Sequence, residues 1–133
     1  MEPVLHLSIV VADLEEARTF YVGTLGCRPG RARGSWMDVW FFGLQLTLQC
    51  QPEHVLGPEG QGKRHFGVTL DVDTFTAVTD RLQADPGVRW VAPVSTDHAG
   101  TGREQTKCKV SDPNGNVLEF KTYPDPDAAF AVD

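Results

Sequence analysis

Two imidazoles and one carboxylate in this chain have the types and placement to do chemistry together: His6, His65 and Glu119. Each lies in a stretch where apolar and polar residues alternate. In residues 4–11, VLHLSIVV, the side chains of Leu5, Leu7, Ile9 and Val11 fall on one face, and those of Val4, His6, Ser8 and Val10 on the other. In residues 65–72, HFGVTLDV, Phe66, Val68, Leu70 and Val72 oppose His65, Gly67, Thr69 and Asp71. Period two means a strand. In residues 116–122, Leu118 and Phe120 face one way, and Glu119 faces the other with Val117 and Lys121. An ionisable group on an inner face is costly unless it is paired or metal-bound. Neutral imidazole and carboxylate suit borderline and hard divalent ions, and three protein ligands leave positions open for water or substrate. A single strand histidine is more often a hydrogen-bonded structural group. Recurrence at matching places, together with Glu119, favours the metal.

The elements that must position these residues come in two copies. After residues 4–11, Asp13 and Glu16 form a capping-box pattern, and Leu14, Ala17, Tyr21 and Leu25 follow at helical spacing up to Gly26. Residues 27–33, 35–42 and 44–50 read as three strands, so the first half is β-α-β-β-β. Residues 51–64 lack periodicity, carry prolines and glycines, and read as a linker. The pattern then restarts. Residues 65–72 form a strand, 74–84 a helix with Phe75, Val78 and Leu82 on one face, and 88–93, 104–111 and 116–123 three strands. The last two join through Asp112-Pro-Asn-Gly115, a turn sequence. His6 and His65 each stand seven residues before the start of a helix, counted to Asp13 and to Val72. The expectation is an α+β fold in one domain over residues 1–133. Module 1 spans about 4–50, the linker 51–64 and module 2 about 65–123. Two such βαβββ modules would form an incompletely closed β-cup with helices outside. Its concave face would carry His6, His65, Glu119, Ser8, Thr69, Gln45, Thr47 and Gln49.

Composition narrows the function. The 133 residues can bury a core without disulfides or a structural metal, so a bound metal would be functional. A net charge of −6 argues against a nucleic-acid partner. Cys27, Cys50 and Cys108 are odd in number and form no Cys-x-x-Cys, which fits reduced, inert thiols. With no signal peptide or apolar span in sight, a cytoplasmic protein without membrane contact is expected. His54 and His98 fall in loops and read as bystanders. Trp36, Trp40 and Phe42 share a strand face with Asp38 and suit core packing, a dimer contact or a wall for substrate stacking. Residues 57–64, GPEGQGKR, mimic a phosphate-binding loop. Arg64 replaces the required hydroxyl and a strand follows, so that reading fails.

The segments LHLSIVVADLEEARTFY (5–21), RHFGVTLDV (64–72) and SDPNGNVLEFKTY (111–123) resemble the vicinal oxygen chelate superfamily. That group includes glyoxalases, extradiol dioxygenases, fosfomycin- and bleomycin-resistance proteins and methylmalonyl-CoA epimerases. The resemblance implies two βαβββ modules cupped around one divalent metal, with His6, His65 and Glu119 as ligands. It also implies a small-molecule substrate that chelates through neighbouring oxygens, and a homodimer. Two positions depart from the pattern. Thr47 stands where glyoxalase-like members often have a fourth, carboxylate ligand, which lowers the weight of a glyoxalase I activity. Lys109 stands where extradiol enzymes have a tyrosine, and His98 is too far upstream for their histidine. The remaining two-histidine, one-carboxylate set resembles oxygenase iron sites and the fosfomycin-modifying enzymes, so Fe(II) is expected ahead of Mn, Ni, Co or Zn. Dioxygenase-like chemistry ranks first, isomerase or lyase chemistry second and thiol transfer third. Thr47, Gln49 and Lys109 are the expected substrate-facing or supporting groups. The competing reading is a metal-free binding protein of the bleomycin-resistance kind.

Overall fold

A computed structural model describes residues 1–132. The chain order is β1 (His6–Val11), α1 (Leu14–Arg18), a π-helical turn (Thr19–Thr24), β2 (Arg28–Arg33), β3 (Trp36–Phe41) and β4 (Leu44–Cys50). There follow a 3-10 turn (Pro52–His54), α2 (Gly57–Gln61), β5 (Phe66–Leu70), α3 (Val72–Ala84), β6 (Arg89–Asp97), β7 (Gln105–Ser111), β8 (Val117–Thr122) and a 3-10 turn (Pro126–Phe130). The strands make two four-stranded sheets of the same topology, β1-β4-β3-β2 and β5-β8-β7-β6. The pairs β1/β4 and β5/β8 are parallel and the others antiparallel. The expected α+β fold with a repeated βαβββ order is therefore present. The chain divides into two compact units, one of residues 1–63 with 112–116, the other of residues 64–111 with 117–133.

In the first unit, alternation in the strands selects the core. Val11, Met37, Val39, Phe41, Leu46 and Leu48 are buried, together with Ala17, Phe20, Tyr21 and Leu25 from the helical segment. Asp13 caps α1, its carboxylate accepting from the Glu16 amide. The helix expected to run to Gly26 instead widens after Arg18, with Leu25 N–H reaching back to the Phe20 carbonyl. Such π turns occur mostly as local insertions in α-helices. In this wider winding Tyr21 is fully buried and its hydroxyl donates to Asp112 Oδ2 at 2.8 Å. Residues 51–64 are more structured than a plain linker: Pro52 and Pro58 sit at the first and second positions of the two short helical turns, where a missing N–H costs nothing.

In the second unit, α3 is capped by Asp71, which accepts from the Thr74 amide, and buries Phe75, Val78 and Leu82. Cys108, Val110, Leu118 and Phe120 supply the sheet side of that core. The helix caps lie seven residues after His6 and six after His65, because α3 starts earlier than its apolar spacing suggested.

The turn Asp112–Asn116 connects β7 to β8 yet is grouped with the first unit. Asp112 has no exposed surface. Its Oδ1 accepts the Asn114 and Asn116 amides, and its Oδ2 accepts the Tyr21 hydroxyl and the Asn116 side-chain amide. Asn116 also donates to the Val10 carbonyl, and Asn114 Oδ1 accepts the Ala12 amide. The Asn-Gly pair tolerates positive φ. Only Gly115 adopts it, while Asn114 works through its side chain.

Candidate functional site

The two sheets use one register at equivalent positions. Ser8 pairs with Thr47 across β1 and β4, and Gly67 pairs with Glu119 across β5 and β8. His6 and His65 stand two residues before Ser8 and Gly67, so they occupy matching places. On the next strand inward, Asp38 pairs with Thr47 in the first sheet and Lys109 with Glu119 in the second.

In the second unit, His65 and Glu119 line one cavity of 280 Å³, with Gly67, Thr69 and Lys121. The close approach there depends on Gly67, where a Cβ would run into the backbone of Glu119. Glu119 is 8% exposed. Lys121 Nζ lies 3.1 Å from its Oε1 and Lys109 Nζ 3.6 Å from its Oε2. Burial alone would raise the Glu119 pKa. The hydrogen bond and charge of Lys121, then the charges of Lys109 and His65, outweigh it and hold the carboxyl below its ordinary value. Glu119 is thus an anionic donor at neutral pH, ready for a cation.

In the first unit, His6 is exposed on β1, and its Nδ1 lies 3.0 Å from the Gln45 carbonyl oxygen. A carbonyl only accepts, so this contact assigns the ring proton to Nδ1 and leaves the Nε2 lone pair available. Fixing one ring nitrogen on a backbone carbonyl is the usual support for a metal-binding histidine. Thr47 is buried and donates to Asp38 Oδ1 at 2.6 Å, while Gln45 Nε2 lies 3.4 Å from Oδ2. With its proton committed to Asp38, Thr47 offers an acceptor. Gln49 is half-buried opposite Trp36. Among the described residues, no three His, Cys, Asp or Glu side chains group closely enough to hold a metal ion. His65 and Glu119 come together, and His6 belongs to the other unit.

Two supporting residues escaped the sequence reading. Lys121, noted only as sharing a face with Glu119, is its nearer cation; spacing of two on one strand was the signal. Asp38, noted only beside the tryptophans, is the first sheet's buried carboxylate. The two-residue Phe42-Gly43 turn fixes its pairing with Thr47. Burial pushes the Cys108 thiol up to about 11, so it is inert at neutral pH, as expected. No described helix is long and apolar enough to cross a membrane.

Comparison with known proteins places this geometry. The sequence model of the Glyoxalase/Bleomycin resistance protein/Dioxygenase superfamily matches residues 4–120. A glyoxalase/bleomycin resistance protein/dioxygenase from Alicyclobacillus acidocaldarius is similar over 95% of each chain, with 30% identity and a TM-score of 0.76. A genomically encoded fosfomycin resistance protein from Listeria monocytogenes shares the fold at 14% identity, with 92% and 93% of the two chains covered and a TM-score of 0.73. A glyoxalase/dioxygenase from Nostoc punctiforme does so at 18% identity, with 92% and 91% covered and a TM-score of 0.69. No curated protein matches the chain. With the family model matching most of its length and both sheets built on one register, this chain belongs to the glyoxalase/bleomycin resistance protein/dioxygenase superfamily.

Proposed function

We propose that this protein is a metal-dependent enzyme acting on a small substrate that chelates through neighbouring oxygens. Its ligands would be His6, His65 and Glu119, with Fe(II) as the first candidate and Mn, Ni, Co or Zn as others. The observation that carries this reading is the second-unit cavity, where His65 and a buried, ionised Glu119 face the same space. The donor set fits a divalent ion: His6 has Nε2 free of its backbone contact, and Glu119 keeps its charge. His6 of the same chain, or of a second copy in a homodimer, completes the set.

When bound, a divalent ion supplies Lewis-acid stabilisation of substrate oxygens and, if iron, oxygen chemistry. The chain's own residues do the rest. Lys109 and Lys121 hold positive charge beside Glu119 and favour a substrate that becomes anionic as it reacts. Thr47, its proton held by Asp38, accepts a hydrogen bond from a substrate hydroxyl. Gln49 offers a further polar contact. Dioxygenase-like chemistry is favoured over isomerase or lyase chemistry because the proposed set has one carboxylate rather than two. Anaerobic reconstitution with Fe(II), followed by oxygen-uptake screening against catechols and dicarbonyl–thiol adducts, tests this choice. Oxygen consumption with a catechol supports it; turnover of an adduct without oxygen overturns it.

Lys121 gives a second test. An ammonium so close to Glu119 competes with an ion for the carboxylate. Lys121→Gln is therefore expected to tighten Zn(II) or Co(II) binding about tenfold, the scale of a partly screened charge contact. Calorimetric titration measures it, and weaker binding would mean that Lys121 orients Glu119 rather than competing for it.

A metal-free, ligand-sequestering role is the second reading. It is favoured by the half-exposed Trp36 and Trp40 on the first sheet, and a protein that takes up no ion would support it.

A further inference from the structure

The first unit contains a second cavity, of 330 Å³, lined by Leu25, Cys27, Arg28, Trp40, Phe42 and Gly43. None of the proposed metal ligands lines it, and its chemistry differs. Its walls are mostly apolar and aromatic. At its side the Arg28 guanidinium lies over the Trp40 ring, 5.5 Å from the centroid. Among the described residues, Arg28 has no carboxylate within salt-bridge distance. Stacking on Trp40 restrains the guanidinium, so a planar anion would meet a donor fork already in place. Arg31 lies over Trp36 in the same way, 6.0 Å from the ring centroid, but only the Arg28–Trp40 pair lines this cavity.

Backbone conformation points to the same place. Phe42 and Gly43 form the two-residue turn between β3 and β4, and both have positive φ, 49° and 90°. Such a turn favours Asn, Asp or Gly at its first position, and a bulky residue there is strained. Phe42 nonetheless holds that position, its ring edge-on to Phe41 at 5.0 Å and on the cavity. Strain of this kind gathers at ligand-binding positions.

We infer that this cavity is a binding site for a small aromatic carboxylate, with the ring between Trp40 and Phe42 and the carboxylate on Arg28. The volume lies within the range of small-molecule pockets. The site stands apart from the metal reading and does not depend on it.

Phenylacetate is the test probe, and 2-phenylethanol the uncharged control. Amide resonances of the ¹⁵N-labelled protein are followed during titration. Phenylacetate is expected to shift the Gly26 and Gly43 amides saturably. Arg28→Gln should weaken phenylacetate about fivefold and leave 2-phenylethanol unchanged, the size of one partly exposed charge contact. Arg28→Lys should fall between the two, since it keeps the charge and loses the fork. Phe42→Asn, which gives the turn a residue it favours, should keep a well-dispersed spectrum and weaken both probes. The absence of saturable shifts overturns the inference. So do shifts centred on Gly67 and Thr69, or equal phenylacetate affinity in wild type and Arg28→Gln.

Discussion

Asp112→Ala is expected to destabilise the protein by about 3–4 kcal/mol in urea unfolding, with the slope on denaturant unchanged. Asp112 is fully buried and accepts four hydrogen bonds, from the Tyr21 hydroxyl, the amides of Asn114 and Asn116, and the Asn116 side chain. Alanine supplies none of these acceptors. The Tyr21 hydroxyl has no exposure through which water could replace the loss, and each buried donor left unmet costs about 1–3 kcal/mol. The loss is partly offset because Asn116 keeps its bond to the Val10 carbonyl. The effect also depends on pH. Burial raises the Asp112 pKa, and the hydrogen bonds from Asn116, Tyr21 and Asn114 offset this only in part. A raised folded-state pKa means that the folded chain binds the proton more tightly than the unfolded chain does. This contribution is present below the ordinary carboxylate pKa and is lost as pH rises through the folded value. The stability gap between wild type and Asp112→Ala should therefore widen on acidification. A gap under about 1 kcal/mol at neutral pH would mean that the turn is not anchored by this side chain.

Gly67→Ala is expected to cost about 2–3 kcal/mol and to impair the second-unit cavity. Gly67 faces Glu119 across the β5–β8 ladder, and an added Cβ meets the Glu119 backbone rather than a yielding side chain. One strand must move off the other, and Glu119 moves with it. The effect should be specific to the position. Thr69→Ala, two residues along on the same exposed face, should stay within about 0.5 kcal/mol. Thermal unfolding of both variants decides, and an unchanged Tm for Gly67→Ala would show that the ladder yields easily there.

These two residues show what sequence can and cannot reveal. Alternation in VLHLSIVV, HFGVTLDV and NVLEFKT located the strands and the faces of His6 and Glu119, because period two leaves little choice, whereas His65 stands one residue ahead of β5. Asp13 announced α1 through its capping pattern. The winding of Thr19–Thr24 was not legible, since Leu14, Ala17, Tyr21 and Leu25 fit an ordinary helix equally well. Asp112 read as a turn residue because turns use aspartate locally; its bond to Tyr21 spans 91 positions and leaves no local mark. Gly67 read as a neutral member of an alternating strand, and only the β5–β8 pairing shows its lack of a side chain to be necessary. Asp38 lay within reach of sequence reasoning, since the two-residue turn at Phe42-Gly43 sets which residue faces Thr47. The partnership of His65 with Glu119 came from the repeat, not from any local signal.

The central claim, that this chain holds a functional divalent ion, is tested most directly by ion stoichiometry. Untagged protein is stripped with chelator, incubated separately with Fe(II) under anaerobic conditions and with Mn(II), Co(II), Ni(II) and Zn(II), desalted and analysed for metal per chain. The account predicts about one ion per chain for at least one of these metals, and its loss in both His65→Ala and Glu119→Gln with the fold intact. A wild-type chain that retains none of the five, or a His65→Ala variant that binds as wild type does, would contradict it.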